Sequence, residues 1–253
     1  MRSFSLFILL GALFLSVSPQ SALAGERLEY KVTQASTQER VTLYVQGSHV
    51  RILSSADQAS AVVYNADHRQ IHILNHNDKS ITTLDQASLE QLASLAQGMG
   101  EIAKSQGGVL GDIFKTFGLE NELGESAQID VKTLSGEKKY SGQSCQLQQV
   151  FRDGQLSTQI CLAKNLRLQP DEKKTLDSLI RFAQLLLRQG QVIMAQFNLP
   201  IPLLPDDALQ GTPVYIDDVS SKTTATLVGF KQMDVLAGQF ALPEGYSRRV
   251  LSL

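Results

Sequence analysis

The chain has 253 residues, of which 43% are hydrophobic and 19% charged, and its formal net charge at pH 7 is −2. This length accommodates one β-rich domain or two small ones, and we predict one. A near-neutral charge, the lack of tryptophan and scattered aromatic residues argue against nucleic-acid binding, which needs basic residues interleaved with stacking rings. The sequence also lacks a polybasic stretch of the kind that attracts anionic lipids.

Residues 1–24 have the pattern of a cleavable secretion signal. The basic residue Arg2 precedes a short apolar run, and the small residues Ala22 and Ala24 fit the A-x-A site of a signal peptidase. We therefore expect cleavage after Ala24 and export to the periplasm. The expected product is a single domain over residues 25–253 with no transmembrane anchor, because no later apolar stretch approaches the length of a spanning helix.

Residues 28–84 alternate apolar and polar positions with a period of two, as half-buried antiparallel strands do. Clusters of Gly, Asn, Asp and Ser separate the alternating runs and predict turns. The pattern therefore indicates a meander. Its inward-facing positions are Leu28, Tyr30 and Val32; Val41, Leu43 and Val45; Val50 and Ile52; Val62 and Tyr64; Ile71 and Ile73; and Ile81 and Thr83.

The period changes to that of a helix after Asp85, over residues 89–103. A second helix is predicted after Pro170, where Asp171 and Glu172 lie near the positive end of the helix dipole. Strands flank both helices, at residues 129–131, 144–168, 213–216 and 224–230 and around Phe240. This order predicts an α+β fold: a mainly antiparallel curved sheet or open half-barrel with helices covering its concave face.

Cys145 and Cys161 are the only cysteines, and we expect them to form a disulfide in an oxidising compartment. Residues 151–155, which lie between the two cysteines, have the pattern of a β-hairpin turn. A three-residue loop with Phe151 facing Gln155 would place the cysteines directly opposite each other, whereas a two-residue turn at 153–154 would shift the match by one.

The histidines, serines and carboxylates show no clear catalytic or metal-binding pattern. His68, His72 and His76 recur every four residues, but on a strand His68 and His72 lie about 13 Å apart, too far to share one metal ion. The serines form no nucleophile-elbow motif, and no convergent set of acid, base and nucleophile is evident. We therefore predict no enzyme activity, no metal site and no cofactor.

The apolar stripes of the two predicted helices have two interpretations. They either pack into a core or cover a groove that can take an apolar ligand. For the second interpretation the candidate ligand-binding residues are Leu92, Met99, Leu179, Leu186 and Met194.

The arrangement resembles an uncharacterised family of exported bacterial proteins and, more distantly, the periplasmic lipoprotein carrier fold. The resemblance implies an open antiparallel half-barrel with helices in its concave face, an apolar or lipid-like ligand, and no catalytic residues. The segments that carry the resemblance are residues 44–52, 62–65, 71–74, 80–84, 142–145 and 240–246.

Two functions follow as hypotheses. The first is an exported periplasmic binding or carrier-like protein for an apolar or lipid-like ligand, such as the acyl chain of a lipid or lipoprotein. The alternative is a non-catalytic envelope protein-interaction module with a packed core, whose partner is another envelope protein. A hydrolase is a third and weaker hypothesis.

Overall fold

A computed structural model describes residues 22–85, 87, 128–164, 166, 168–189, 211–219 and 221–249. These residues form twelve strands, one α-helix and one 3₁₀ helix. The strands are β1 (Ala22–Gln34), β2 (Thr37–Gln46), β3 (His49–Ser54), β4 (Ser60–Asn65), β5 (Gln70–Asn75), β6 (Ser80–Leu84), β7 (Ile129–Tyr140), β8 (Gln143–Arg152), β9 (Gln155–Ala163), β10 (Thr212–Asp218), β11 (Thr223–Leu236) and β12 (Ser247–Arg249). The α-helix is α1 (Pro170–Gln189), and the 3₁₀ helix is Ala237–Phe240.

All twelve strands belong to one sheet, in the order β12-β6-β5-β4-β3-β2-β1-β11-β10-β9-β8-β7. Every neighbouring pair is antiparallel except β12 and β6, which are parallel. β1 to β6 form the predicted meander. Pairing of β1 with β11 joins this meander to the second half of the sheet.

The predicted α+β class is wrong. A single large sheet dominates the described part of the chain, and one α-helix rather than a set of helices lies against it. Two strands are longer than the short apolar runs in the sequence predicted. β7 spans Ile129–Tyr140, and β11 spans Thr223–Leu236. The extensions mix apolar residues with many polar and charged ones, so a regular apolar alternation did not reveal them. The helix predicted after Asp85 lies outside the described residues.

The strand register defines two faces of the sheet. We call the side that carries Leu28 of β1 the core face, because alternate residues there are buried and α1 packs against it. One row of facing residues crosses it from β1 to β6. The row consists of Glu26, Val45, Val50, Tyr64, Ile71 and Leu84.

The opposite side, which we call the outer face, carries a second apolar cluster on β3 to β6. Its buried members are Ala61, Val63, Leu74 and Ile81. Residues 237–249, here named the C-terminal strap, follow β11 and cover this cluster. Leu242 and Tyr246 of the strap pack on the cluster. Within the described residues, no helix is long and apolar enough to cross a membrane.

The structure contains the predicted disulfide between Cys145 and Cys161, whose Cα atoms are 5.4 Å apart. The hairpin register differs from the three-residue loop that we favoured. Arg152 faces Gln155 across a two-residue turn, and both turn residues have positive φ. A bulge beside Phe151 then shifts the register again, so that Cys161 faces Leu147 and the disulfide joins the two strands diagonally.

Replacement of both cysteines by alanine should lower the free energy of unfolding by roughly 3 kcal/mol, because the closed loop restricts the unfolded chain. Urea denaturation of the wild type and the double variant measures the difference. The reduced wild type serves as the control and should match the variant. Equal stability of oxidised and reduced protein would contradict the prediction.

Candidate ligand-binding site beneath helix α1

Helix α1 crosses the core face from β1 towards β4. At the β4 end the Tyr64 hydroxyl lies 2.7 Å from the Ser178 hydroxyl, and the Tyr64 and Phe182 ring centroids are 5.9 Å apart. The buried residues of the helix recur at helical spacing. The apolar ones among the described side chains are Leu176, Leu179, Phe182 and Ala183. The helix therefore buries an apolar stripe against the sheet.

Polar contacts hold the first turns of α1 to the turn between β2 and β3. The Glu172 carboxylate accepts a hydrogen bond from the Gly47 N–H at 3.4 Å, and the Thr175 hydroxyl donates to the Gly47 carbonyl at 2.6 Å. Gly47 has a φ of +52°, a conformation that favours glycine. Both Glu172 and Thr175 are buried, so these contacts lie between the helix and the sheet.

Glu26 provides the third contact at this end of the helix. It lies on the core face of β1, two residues before Leu28, and its exposure is 0%. Its Oε1 accepts a hydrogen bond of 2.8 Å from the backbone N–H of Gln169, which precedes the helix. Among the described residues, its Oε2 has no hydrogen-bond partner. A buried carboxylate oxygen without a partner is energetically unfavourable, because the hydration it loses is not replaced.

The surroundings of Glu26 favour its protonated form. Burial raises the pKa of this carboxyl, and the nearby charge of Glu172 raises it further. The hydrogen bond from the Gln169 N–H and the nearby Gln232 side chain oppose the shift but do not cancel it. The junction therefore contains two buried carboxyl groups whose charged forms repel each other. It can take up a proton more readily than an exposed pair.

Of the five predicted site residues, the structure describes the side chain of Leu179 alone, so the predicted grouping stays a prediction. Leu179 is 7% exposed and belongs to the packed core. Leu186 lies in α1, but the structure does not describe its side chain. Leu92, Met99 and Met194 lie outside the described residues.

Sequence reasoning missed Glu26. We placed the first strand from Leu28 onward, where the alternation of apolar residues begins. The signal that could have revealed it is spacing, since Glu26 has the same parity as Leu28, Tyr30 and Val32 and therefore points to the same face. Among the described residues, no group of three or more His, Cys, Asp or Glu side chains is arranged to hold a metal ion.

Comparisons with known proteins found no matching family model and no matching curated protein. Similar solved structures include PNGF-II, with 7% identity and a TM-score of 0.41, covering 90% of this chain and 31% of that one. MucB in complex with MucA(peri) has 10% identity and a TM-score of 0.40, covering 91% and 57%. The Pseudomonas aeruginosa MucA/MucB complex has 10% identity and a TM-score of 0.41, covering 91% and 59%.

This chain thus spans less than two thirds of the length of each of these structures. Similarity at these TM-scores supports no inference about the fold, ligand or partner of this chain. The candidate site consequently depends on its own residues.

The Glu26→Gln substitution should raise the free energy of unfolding at neutral pH by about 1 kcal/mol, because it removes a buried charge while keeping an acceptor for the Gln169 N–H. Because the pKa of Glu26 is raised, the folded state binds more protons than the unfolded state. The stability that Glu26 contributes is therefore fully present below the ordinary Glu value of 4.5 and is lost as pH rises through the raised value.

Urea denaturation between about pH 4 and pH 7.5 measures this difference, which should grow with pH. Glu137→Gln is the matched control, because Glu137 is an exposed strand residue. A constant difference between wild type and Glu26→Gln across this range would contradict the assigned role.

Proposed function

We propose that the protein is an exported, non-catalytic binding module in which α1 covers a site for an apolar, lipid-like ligand such as an acyl chain. The observation that carries this proposal is the buried Glu26 at the junction between α1 and the sheet, whose Oε2 has no hydrogen-bond partner in the part of the chain that the structure describes.

An apolar side chain at position 26 would complete the core face and remove the cost of burying a carboxyl group. The native sequence instead places Glu26 and Glu172 together where the helix meets the sheet. Residues that depart from the local pattern at a stability cost are expected at functional sites. This arrangement supports a junction whose closed form, with α1 against the sheet, is only moderately more stable than an open form.

Opening at this junction would expose the apolar stripe of α1 and the row of core-face residues beneath it. These surfaces are apolar and bordered by a few polar groups, as binding sites for lipid-like ligands are. Tyr64 contributes a ring and a hydroxyl to the same region. The chemistry therefore suits a ligand with a long apolar chain and a small polar end.

Two observations support an exported location. Residues 1–24 have the pattern of a secretion signal, and the Cys145–Cys161 disulfide requires an oxidising compartment to persist. We propose the periplasm as that compartment.

A second candidate function is an envelope protein-interaction module with a fully packed core. The burial of Leu179 and Phe182 favours it, because residues that pack this closely need no ligand to complete the core. In this alternative α1 remains fixed, and the partner is another envelope protein.

Native mass spectrometry of residues 25–253 purified from the periplasm tests the two functions. A stoichiometric adduct of lipid mass, identified after organic extraction, is the expected result. A clean apo mass, two hydrogens lighter than the reduced chain because of the disulfide, would contradict the ligand proposal and favour the interaction module.

Variants of α1 then localise the ligand. Leu179→Ala should lower ligand occupancy several-fold, whereas Arg181→Ala should not, because Arg181 is an exposed residue of the same helix. Since Leu179→Ala also removes core packing, at about 2–5 kcal/mol, circular dichroism must show that it remains folded. Glu26→Gln provides a second readout and should slow ligand exchange by holding α1 closed. Unchanged occupancy in folded Leu179→Ala would contradict a site beneath α1.

A further inference from the structure

The outer face of the second half of the sheet carries a row of polar residues. The strand register aligns one residue from each of β2, β1, β11, β10, β9, β8 and β7. All of these side chains are polar or charged, and each is at least partly exposed. We call this set the polar row. It consists of Gln38, Thr33, Thr224, Asp217, Gln159, Gln149 and Lys132.

Two stacked tyrosine rings border the polar row. Tyr215 precedes Asp217 by two residues on β10 and therefore lies on the same face. Its ring stacks on that of Tyr140, with centroids 4.0 Å apart and planes 8° apart, and both residues are partly exposed. At the β7 end of the row the Lys132 ammonium lies 4.8 Å from the centroid of the Phe151 ring. The Phe151 ring is thus partly covered by a cation, and the tyrosine pair supplies an aromatic surface beside the row.

We propose that the polar row and the Tyr140–Tyr215 pair form a second binding site, which takes an uncharged oligosaccharide. This site lies on the face of the sheet opposite α1, and it is independent of the ligand proposed beneath that helix.

The side chains of the row match the hydroxyl groups of a sugar, which both donate and accept hydrogen bonds. The Gln149 and Gln159 amides each offer a carbonyl acceptor and an N–H donor, and the Thr224 hydroxyl offers both functions. A sugar ring also has an apolar face of C–H groups, which packs on an aromatic ring such as that of Tyr215. A hydrocarbon chain would instead leave the polar groups of the row without partners. The row beside the tyrosine pair therefore suits a sugar better than a lipid tail.

Charge and backbone pairing argue against two other ligands. Lys132 and Asp217 carry opposite charges, so the row has no net charge that would select an anionic polymer. β8, β9, β10 and β11 are interior strands, each paired on both sides. Their backbone groups are used within the sheet, so an extended peptide cannot add to them as a further strand. Recognition at this face therefore depends on side chains.

The length of the row indicates an oligosaccharide rather than a single sugar. Neighbouring strands lie about 4.8 Å apart, so the row extends about 14 Å from β8 to β11. This distance exceeds the width of one sugar ring. A hexasaccharide is therefore a suitable probe.

Isothermal titration calorimetry of the protein purified from the periplasm tests the proposal. The probes are three uncharged hexasaccharides: a β-linked hexamer of N-acetylglucosamine, a β-linked hexamer of glucose and an α-linked hexamer of glucose. At least one of them should bind. Its affinity should change by less than about twofold between low and high salt, because an uncharged ligand releases no counterions.

Variants then localise the bound hexasaccharide. Tyr215→Ala should weaken the affinity about tenfold because it removes a stacking surface, whereas Tyr215→Phe keeps the ring and should bind nearly as the wild type does. Gln159→Ala should weaken the affinity several-fold. Tyr44→Ala is the matched control and should bind as the wild type does, because Tyr44 is a partly exposed tyrosine of β2 that lies six residues from Gln38 along the strand.

Failure of all three hexasaccharides to bind at about 5 mM would overturn the proposal, as would equal weakening by Tyr215→Ala and Tyr44→Ala. Binding of heparin that is lost at high salt, without binding of any hexasaccharide, would also overturn it and indicate an anionic polymer. Circular dichroism checks that each variant is folded. Should Tyr215→Ala fail to fold, Gln159→Ala decides the question: a several-fold loss of affinity supports the proposal, and wild-type affinity overturns it.

Discussion

The pairing of β1 with β11 is the constraint on which the rest of the structure depends. β1 has β2 on one side and β11 on the other, so a strand near the beginning of the chain is central to the sheet. This pairing joins the meander β1–β6 to the strands β7–β11, which are distant in sequence. The neighbouring strands β2 and β11 both approach β1 closely at Gly25. A Cβ atom there would lie 2.7 Å from the Val45 carbonyl oxygen and 2.8 Å from the Val235 side chain. A larger residue would separate the three strands.

The same strand pair positions the junction of α1 with the sheet and the C-terminal strap. Residues of β1 with the parity of Leu28 face the core, which places Glu26 under the first turn of α1. β11 ends at Leu236, and the strap follows directly and crosses to the outer face of β3 to β6. The helix and the strap therefore cover opposite faces of the same group of strands.

The sequence predicted those features that depend on local pattern, and it missed those that depend on distant partners. Period-two alternation located β1 to β6, and the helix after Pro170 begins where its proline and acidic residues indicated. The disulfide was predicted correctly, but a bulge beside Phe151, which has no local signature, changed its register. Glu26 was missed because its burial arises from α1, which lies far along the chain. The strap was missed because its contacts with the outer apolar cluster are equally remote in sequence.

Burial shifts the pKa of one group on each face of the sheet, in opposite directions and for one physical reason. Burial disfavours the charged form of any group, and this form is the deprotonated state of Glu26 but the protonated state of His72. Acidification therefore neutralises the carboxyl group and strengthens the junction of α1 with the core face. The same cause lowers the pKa of the His72 imidazole. The two shifts need no direct contact between Glu26 and His72, since each follows mainly from the burial of its own side chain.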